Sequence, residues 1–136
     1  MRSLRILVVD DNHLVRGLLG LILEADGHIP VHAESGEVAL ELAHEDPPDL
    51  CFIDEAMPGM TGSELIRALR RDPDVRLSTV PVIGISGRPA AAAELLAAGA
   101  SDFLPKPTEE AAVLAAIDRV LVPSLFGGDP TGVAAS

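Results

Sequence analysis

Ile6-Leu7-Val8-Val9-Asp10-Asp11, Leu50-Cys51-Phe52-Ile53-Asp54 and Phe103-Leu104-Pro105-Lys106-Pro107 share one pattern: a short apolar run that stops at a charged side chain. Runs of that length read as strands buried on both faces, as in a parallel sheet covered by helices. Set side by side in such a sheet, they bring Asp10, Asp11, Asp54 and Lys106 to its C-terminal edge. Open α/β folds place their ligands at that edge. Three carboxylates gathered there repel one another, and a hard divalent cation relieves the repulsion. A lysine beside them is a point charge suited to phosphate.

Outward from these runs, strand-like and helical patterns alternate five times. Strands are expected at 5–9, 29–33, 49–53, 80–85 and 101–104, and five helices at 12–26, 36–45, 62–71, 89–98 and 108–121. This alternation predicts an α/β domain with a parallel sheet and helices on both faces. The punctuation fits. Gly27 and Gly99 follow helices as C′ glycines, and Thr61 with Glu64 forms a capping box. Pro89 suits the first position of the fourth helix, and Thr108 with Glu109 and Glu110 suits the start of the fifth. Pro30 lacks an amide donor and puts the second strand at a sheet edge. Gly17 and Gly20 weaken the first helix unless it packs closely on the sheet. Pro123 is expected to end the last helix. Residues 1–122 then form the domain, and 123–136, rich in Gly, Pro, Ser and Ala, a flexible tail or linker stub too short for an output domain.

The bulk numbers narrow the function. A chain of 136 residues fits one domain with a core large enough to fold unaided. A net charge of −11 opposes nucleic-acid backbones and anionic membrane surfaces, so neither is an expected partner. Cys51 is the one cysteine; inside an apolar run it reads as a small buried hydrophobe, consistent with a reducing cytoplasm. Only four consecutive apolar residues lead into Asp10, too few for a signal peptide or membrane span.

Val8-Val9-Asp10-Asp11-Asn12, Ile53-Asp54-Glu55-Ala56-Met57-Pro58-Gly59-Met60-Thr61-Gly62 and Phe103-Leu104-Pro105-Lys106-Pro107 resemble the receiver domain of two-component response regulators, over about residues 4–122. The resemblance implies a flavodoxin-like, doubly wound fold with strand order 2-1-3-4-5, and a single-domain, chemotaxis-type receiver. It implies that Asp54 accepts a phosphoryl group from a histidine kinase or phosphotransferase. It further implies Mg²⁺ held by Asp11, Asp54 and the backbone carbonyl of Ala56, with Asp10 acting through a water. Lys106 would pair with the phosphoryl oxygens, a cis Lys106-Pro107 bond aiming it into the site. Ser86 would be the switch hydroxyl, and Phe103 the aromatic that moves with it. Such a domain is not an enzyme in the usual sense, although it catalyses its own phosphorylation and dephosphorylation. It signals through a protein partner at the face formed by the fourth helix, fifth strand and fifth helix. Two departures stand out: Lys106 follows Ser86 by only 20 positions, and Ala56 offers no amide or acid to position hydrolytic water.

Other readings are weaker. A phosphorylation-independent protein-binding module of the same fold would not require the full set of Asp10, Asp11, Asp54, Ser86 and Lys106. A haloacid-dehalogenase-like phosphatase would want Asp two residues after Asp54, where Ala56 stands. A flavin carrier would want a phosphate-cradling loop where this chain has acids. His13 is read as a surface side chain, since Mg²⁺ prefers oxygen. His28 and His32 should share one side of the edge strand, and His44 suits a helix C-terminus.

Overall fold

The structure is a computed structural model that describes residues 3–126. Five strands, β1 (Arg5–Val9), β2 (Ile29–Ala33), β3 (Leu50–Asp54), β4 (Val82–Ser86) and β5 (Asp102–Pro105), form one parallel sheet in the order β2-β1-β3-β4-β5. Among the described residues six helices connect and follow them: α1 (His13–Ala25), α2 (Gly36–Glu45), α3 (Gly62–Arg70), α4 (Val75–Ser78), α5 (Ala91–Ala98) and α6 (Glu110–Phe126).

The uniform apolarity of the strands follows from burial on both sides. Leu7, Val9, Cys51, Ile53 and Val82 meet α2, α3 and α5 in one core. Ile6, Val8, Leu50, Phe52, Ile83 and Ile85 meet α1 and α6 in the other. Alternate residues of each strand thus serve opposite layers. The Cys51 thiol is fully buried and its pKa is pushed up to about 12, so it behaves as a core side chain.

The expectation of five helices is corrected to six. The extra one, α4, is a single turn capped by Asp74, whose carboxylate accepts the Arg76 N–H, and it buries Leu77 completely. Four residues are too few for a helical period to register in the sequence. Other ends shift. Asn12 caps α1, accepting from the amides of Leu14 and Val15. Pro89 lies in a turn before α5, which begins at Ala91, and α6 begins at Glu110 rather than Thr108. The last helix does not end at Pro123 but runs to Phe126, because a proline removes one donor from the ladder without preventing the next turn from closing. The tail expected at 123–136 lies outside the described residues from 127 onward.

The capping box of Thr61 and Glu64 is present, and Gly27 and Gly99 have φ of +88° and +120°. Pro30 is on the edge strand. Gly20 also has its explanation: the ring of His32 lies where a Cβ would stand, 2.8 Å from it, with Pro30 beyond. Pro30 and His32 therefore share the α1 side of β2. His28 comes just before that strand and is buried, its Nδ1 accepting the Leu4 N–H. Arg70, at the end of α3, donates to the carbonyls of Gly99 and Val80, binding α3 to the end of α5 and the start of β4.

Two glycines separate fold requirement from tolerance. A Cβ on Gly62 would sit 2.4 Å from the Asp54 carbonyl oxygen, whereas one on Gly17 would meet nothing within 4 Å. Gly62→Ala is expected to cost at least about 2 kcal/mol, and Gly17→Ala to stabilise by about 0.5–1 kcal/mol. Urea denaturation of both variants checks this; equal effects would show that the α3–β3 approach is looser than described.

Candidate functional site

The C-terminal ends of β1, β3 and β5 bring the charged residues together. Asp54 is the last residue of β3 and Asp10 the first beyond β1; both are buried, while Asp11 is exposed. Carboxylate oxygens of Asp10, Asp11 and Asp54 lie within 4.8 Å of one another. Lys106 Nζ reaches in from β5, 3.0 Å from Asp54 Oδ1 and 3.2 Å from Asp10 Oδ2. The Lys106-Pro107 peptide is cis. Asp10 Oδ1 accepts the Asn12 N–H at 2.9 Å, and Arg16 donates to the Asp10 carbonyl.

Each carboxylate is held by its strand. The Asp10 N–H donates to the Ala33 carbonyl, and the residue after Asp54 donates from its N–H to the Ile85 carbonyl. Ser86, the last residue of β4, is buried, and its hydroxyl accepts the Arg88 N–H at 3.0 Å. Its carbonyl accepts the Lys106 N–H at 2.9 Å, tying the lysine's backbone to β4. Phe103 pairs with Gly84 in the sheet and packs on the α2/α3/α5 core. Ser86, two residues beyond Gly84, lies on that same face. Ala56 is exposed in the loop between β3 and α3.

Burial dominates the electrostatics of Asp54. It pushes the carboxyl pKa up from 3.8 to about 6, assisted by the charges of Asp10 and Asp11 and opposed by the Lys106 hydrogen bond and charge. Burial pulls the Lys106 ammonium the other way, but the hydrogen bonds and charges of Asp54 and Asp10 outweigh it and leave the lysine above its ordinary value. Three carboxylates and one ammonium carry a formal charge of about −2, which a divalent cation would balance. Lys106 occupies one oxygen each of Asp10 and Asp54, leaving the second oxygen of Asp54 and the exposed carboxylate of Asp11 for such an ion. An all-oxygen donor set is hard, as Mg²⁺ requires. His13 is exposed at the start of α1 and is not among these ligands.

A scan of protein families matches residues 6–118 to the response regulator receiver domain. The chain belongs to that family. It is 34% identical over 119 residues to Protein PilH of Pseudomonas aeruginosa, covering 86% of this chain and 97% of PilH. It is 38% identical over 107 residues to the response regulator MprA of Mycobacterium ulcerans, covering 77% of this chain and 44% of MprA. The chemotaxis protein CheY4 of Vibrio cholerae superposes with a TM-score of 0.81 at 29% identity, covering 88% of this chain and all of CheY4. Several further curated relatives are longer, the chain spanning 25–51% of their length. Receiver domains take phosphoryl groups from histidine kinases, signal to downstream partners and are not enzymes in the usual sense. Among the described residues no helix is long and apolar enough to cross a membrane.

Two features of the site escaped the sequence. Glu55 is buried beside Asp54, its carboxylate on Ser63, a contact made by the chain's return into α3. The other is an apolar groove of about 330 Å³ beside Lys106, lined by Val15, Leu18, Ile22, Pro107 and Thr108. Leu14, Leu18 and Leu21 are more than 60% exposed along the same helix. Their spacing of four and three residues was the available signal, since it leaves one apolar face more than the sheet can cover.

The raised Asp54 pKa gives a sign that can be checked. The folded state holds this proton more tightly than the unfolded chain, so the penalty for ionisation is absent below about pH 4 and complete above about pH 6. In metal-free buffer, Asp54→Asn should be more stable than wild type by about 1–2 kcal/mol at pH 7.5, and that advantage should fade as the pH drops toward 4.5. Urea denaturation across this range measures it; an advantage independent of pH would show that the carboxyl does not titrate there.

Proposed function

We propose that this chain is a Mg²⁺-dependent phosphoacceptor whose acceptor is Asp54, charged by a histidine kinase or phosphotransferase. The observation that carries this reading is the buried Asp54 carboxylate with Lys106 at 3.0 Å and two further acids around it. A carboxylate oxygen of Asp54 attacks the phosphorus, the bond to the donor's leaving atom breaks, and an acyl phosphate remains. Such a transfer depends mainly on position and charge neutralisation. Asp11, Asp54 and the Ala56 carbonyl would hold Mg²⁺, with Asp10 engaging it through water; the bound ion supplies charge neutralisation for the phosphoryl oxygens. Lys106 loses nothing by turning from Asp54 to the phosphoryl group, since it exchanges one anion for another. The exposed leucines of α1 and the groove beside Lys106 suit an apolar helix of the phosphodonor laid next to the acceptor.

The readout is proposed to run through Ser86 and Phe103. The Ser86 hydroxyl rests on the Arg88 N–H and can turn toward a phosphoryl oxygen, opening space on the face it shares with Phe103. The partner surface is then α5, β5 and α6. Support comes from its small exposed side chains, Ala93, Ala97, Ala111 and Ala115, with Leu96 at 47% exposed. Such a surface favours a helix or a second receiver. The negative net charge and the absence of a basic stripe favour a protein over nucleic acid, and the reducing cytoplasm suits the free Cys51.

Incubation with acetyl phosphate and Mg²⁺ should add one phosphoryl mass to the wild type and none to Asp54→Asn. Equal adducts on both by intact-mass measurement would refute Asp54 as the acceptor.

Beryllofluoride, an acyl-phosphate mimic, should change amide exchange across residues 87–121 of the wild type and change it less in Ser86→Ala. No change in the wild type, or the same change in both, would exclude this route.

A further inference from the structure

Glu55 follows the acceptor directly, yet the reaction above gives its side chain no part. That side chain is only 6% exposed. Carboxylates are seldom buried so deeply without partners. Here Oε1 accepts the Ser63 N–H and the Ser63 hydroxyl, each at 2.7 Å. The Glu55 backbone is held as well, its N–H on the Ile85 carbonyl at 2.9 Å and its carbonyl accepting the Gly62 N–H at 3.0 Å.

The start of α3 shows what this does. The first amides of a helix have no intrahelical partner. The Gly62 amide goes to the Glu55 carbonyl, the Ser63 amide to the Glu55 carboxylate, and the Glu64 amide to the Thr61 hydroxyl. Glu55 thus satisfies two of these donors from outside the helix and sets its charge at the positive helix end. The six residues 56–61 between them form a loop clamped to its own exit. Ala56 is the first of these. Ala56 is exposed, while the residues on either side of it are held, Glu55 on Ser63 and Met57 in the core.

We propose that Glu55 is a positioning residue, whose carboxylate, locked on Ser63, holds the β3–α3 loop so that Asp54 and the Ala56 carbonyl converge on one Mg²⁺. This rests on the Mg²⁺ reading above. The test is calorimetric Mg²⁺ titration of the full chain without any phosphodonor, alongside thermal melting in chelator. Glu55→Ala should weaken Mg²⁺ binding about 10-fold, in the range found when groups behind metal ligands are removed. Glu55→Gln, which keeps an acceptor for Ser63, should stay within about threefold of wild type, and Ser63→Ala should lose about threefold. The double variant Glu55→Ala/Ser63→Ala should bind no worse than Glu55→Ala alone, because both act through one contact.

Wild-type Mg²⁺ affinity in a Glu55→Ala protein that merely melts earlier would reduce Glu55 to a helix cap and overturn the proposal. So would equal losses in Glu55→Gln and Glu55→Ala, which would make the effect one of charge alone. If Glu55→Ala does not fold, unchanged affinity in Ser63→Ala overturns it. Absence of saturable Mg²⁺ binding in the wild type would instead overturn the metal reading beneath it, a result distinct from the others.

Discussion

Lys106 bridging Asp54 and Asp10 is the interaction on which the arrangement depends. Neighbouring parallel strands are about 4.8 Å apart, so a group at the end of β5 must cross β4 to reach β3, about 10 Å in all. A four-carbon stem with a compact ammonium can do this, and the residue it passes at the end of β4 is the small Ser86. The Lys106 N–H on the Ser86 carbonyl fixes where that reach begins. A shorter cation on β5, or a bulky residue closing β4, would leave two buried carboxylates facing each other without compensation, a costly state in a low-dielectric edge.

One ammonium does not balance three acids. The Asp54 carboxyl, pulled from water by burial and further crowded by Asp10 and Asp11, gives up its proton reluctantly, its pKa raised to about 6. The site is thus anionic and oxygen-rich, with a cation already on one side. It can take a divalent ion on the other. The same imbalance that makes the metal-free site uncomfortable prepares it for positive charge, and because Asn12 caps α1 the exposed Asp11 carboxylate is left out of the helix cap.

The scaffold holds this edge through close backbone approaches. Gly62 lets α3 sit against the end of β3, and Arg70 ties the other end of that helix to the carbonyls of Gly99 and Val80. On the opposite layer, Gly20 lets α1 approach the ring of His32 on the edge strand. Glu55, the residue after the acceptor, is turned from solvent toward the start of α3, so the loop between them is closed at both ends.

Strand identity and order of chemistry were legible because each of these strands carries a short apolar run that stops at or just before its functional residue: β1 before Asp10, β3 at Asp54, β4 at Ser86 and β5 before Lys106. Pro30 alone was enough to put β2 at an edge, since a missing N–H is tolerated only there. The Thr61–Glu64 box and Gly99 fixed helix ends for equally local reasons. What the sequence could not yield depends on chain segments meeting after folding. The single turn of α4 exists because Leu77 finds a core to fill, the burial of Glu55 because the chain returns to present Ser63, and the need for Gly20 because His32 lies over it. The last helix passes Pro123 because a local cost of one hydrogen bond does not decide a helix whose preceding turns are packed on the sheet. Local patterns therefore determined the strands, the caps and the residue types at the sheet edge. Only tertiary structure decided their distances, their protonation and which polar side chains found partners, because burial and pairing are properties of segments far apart in the chain.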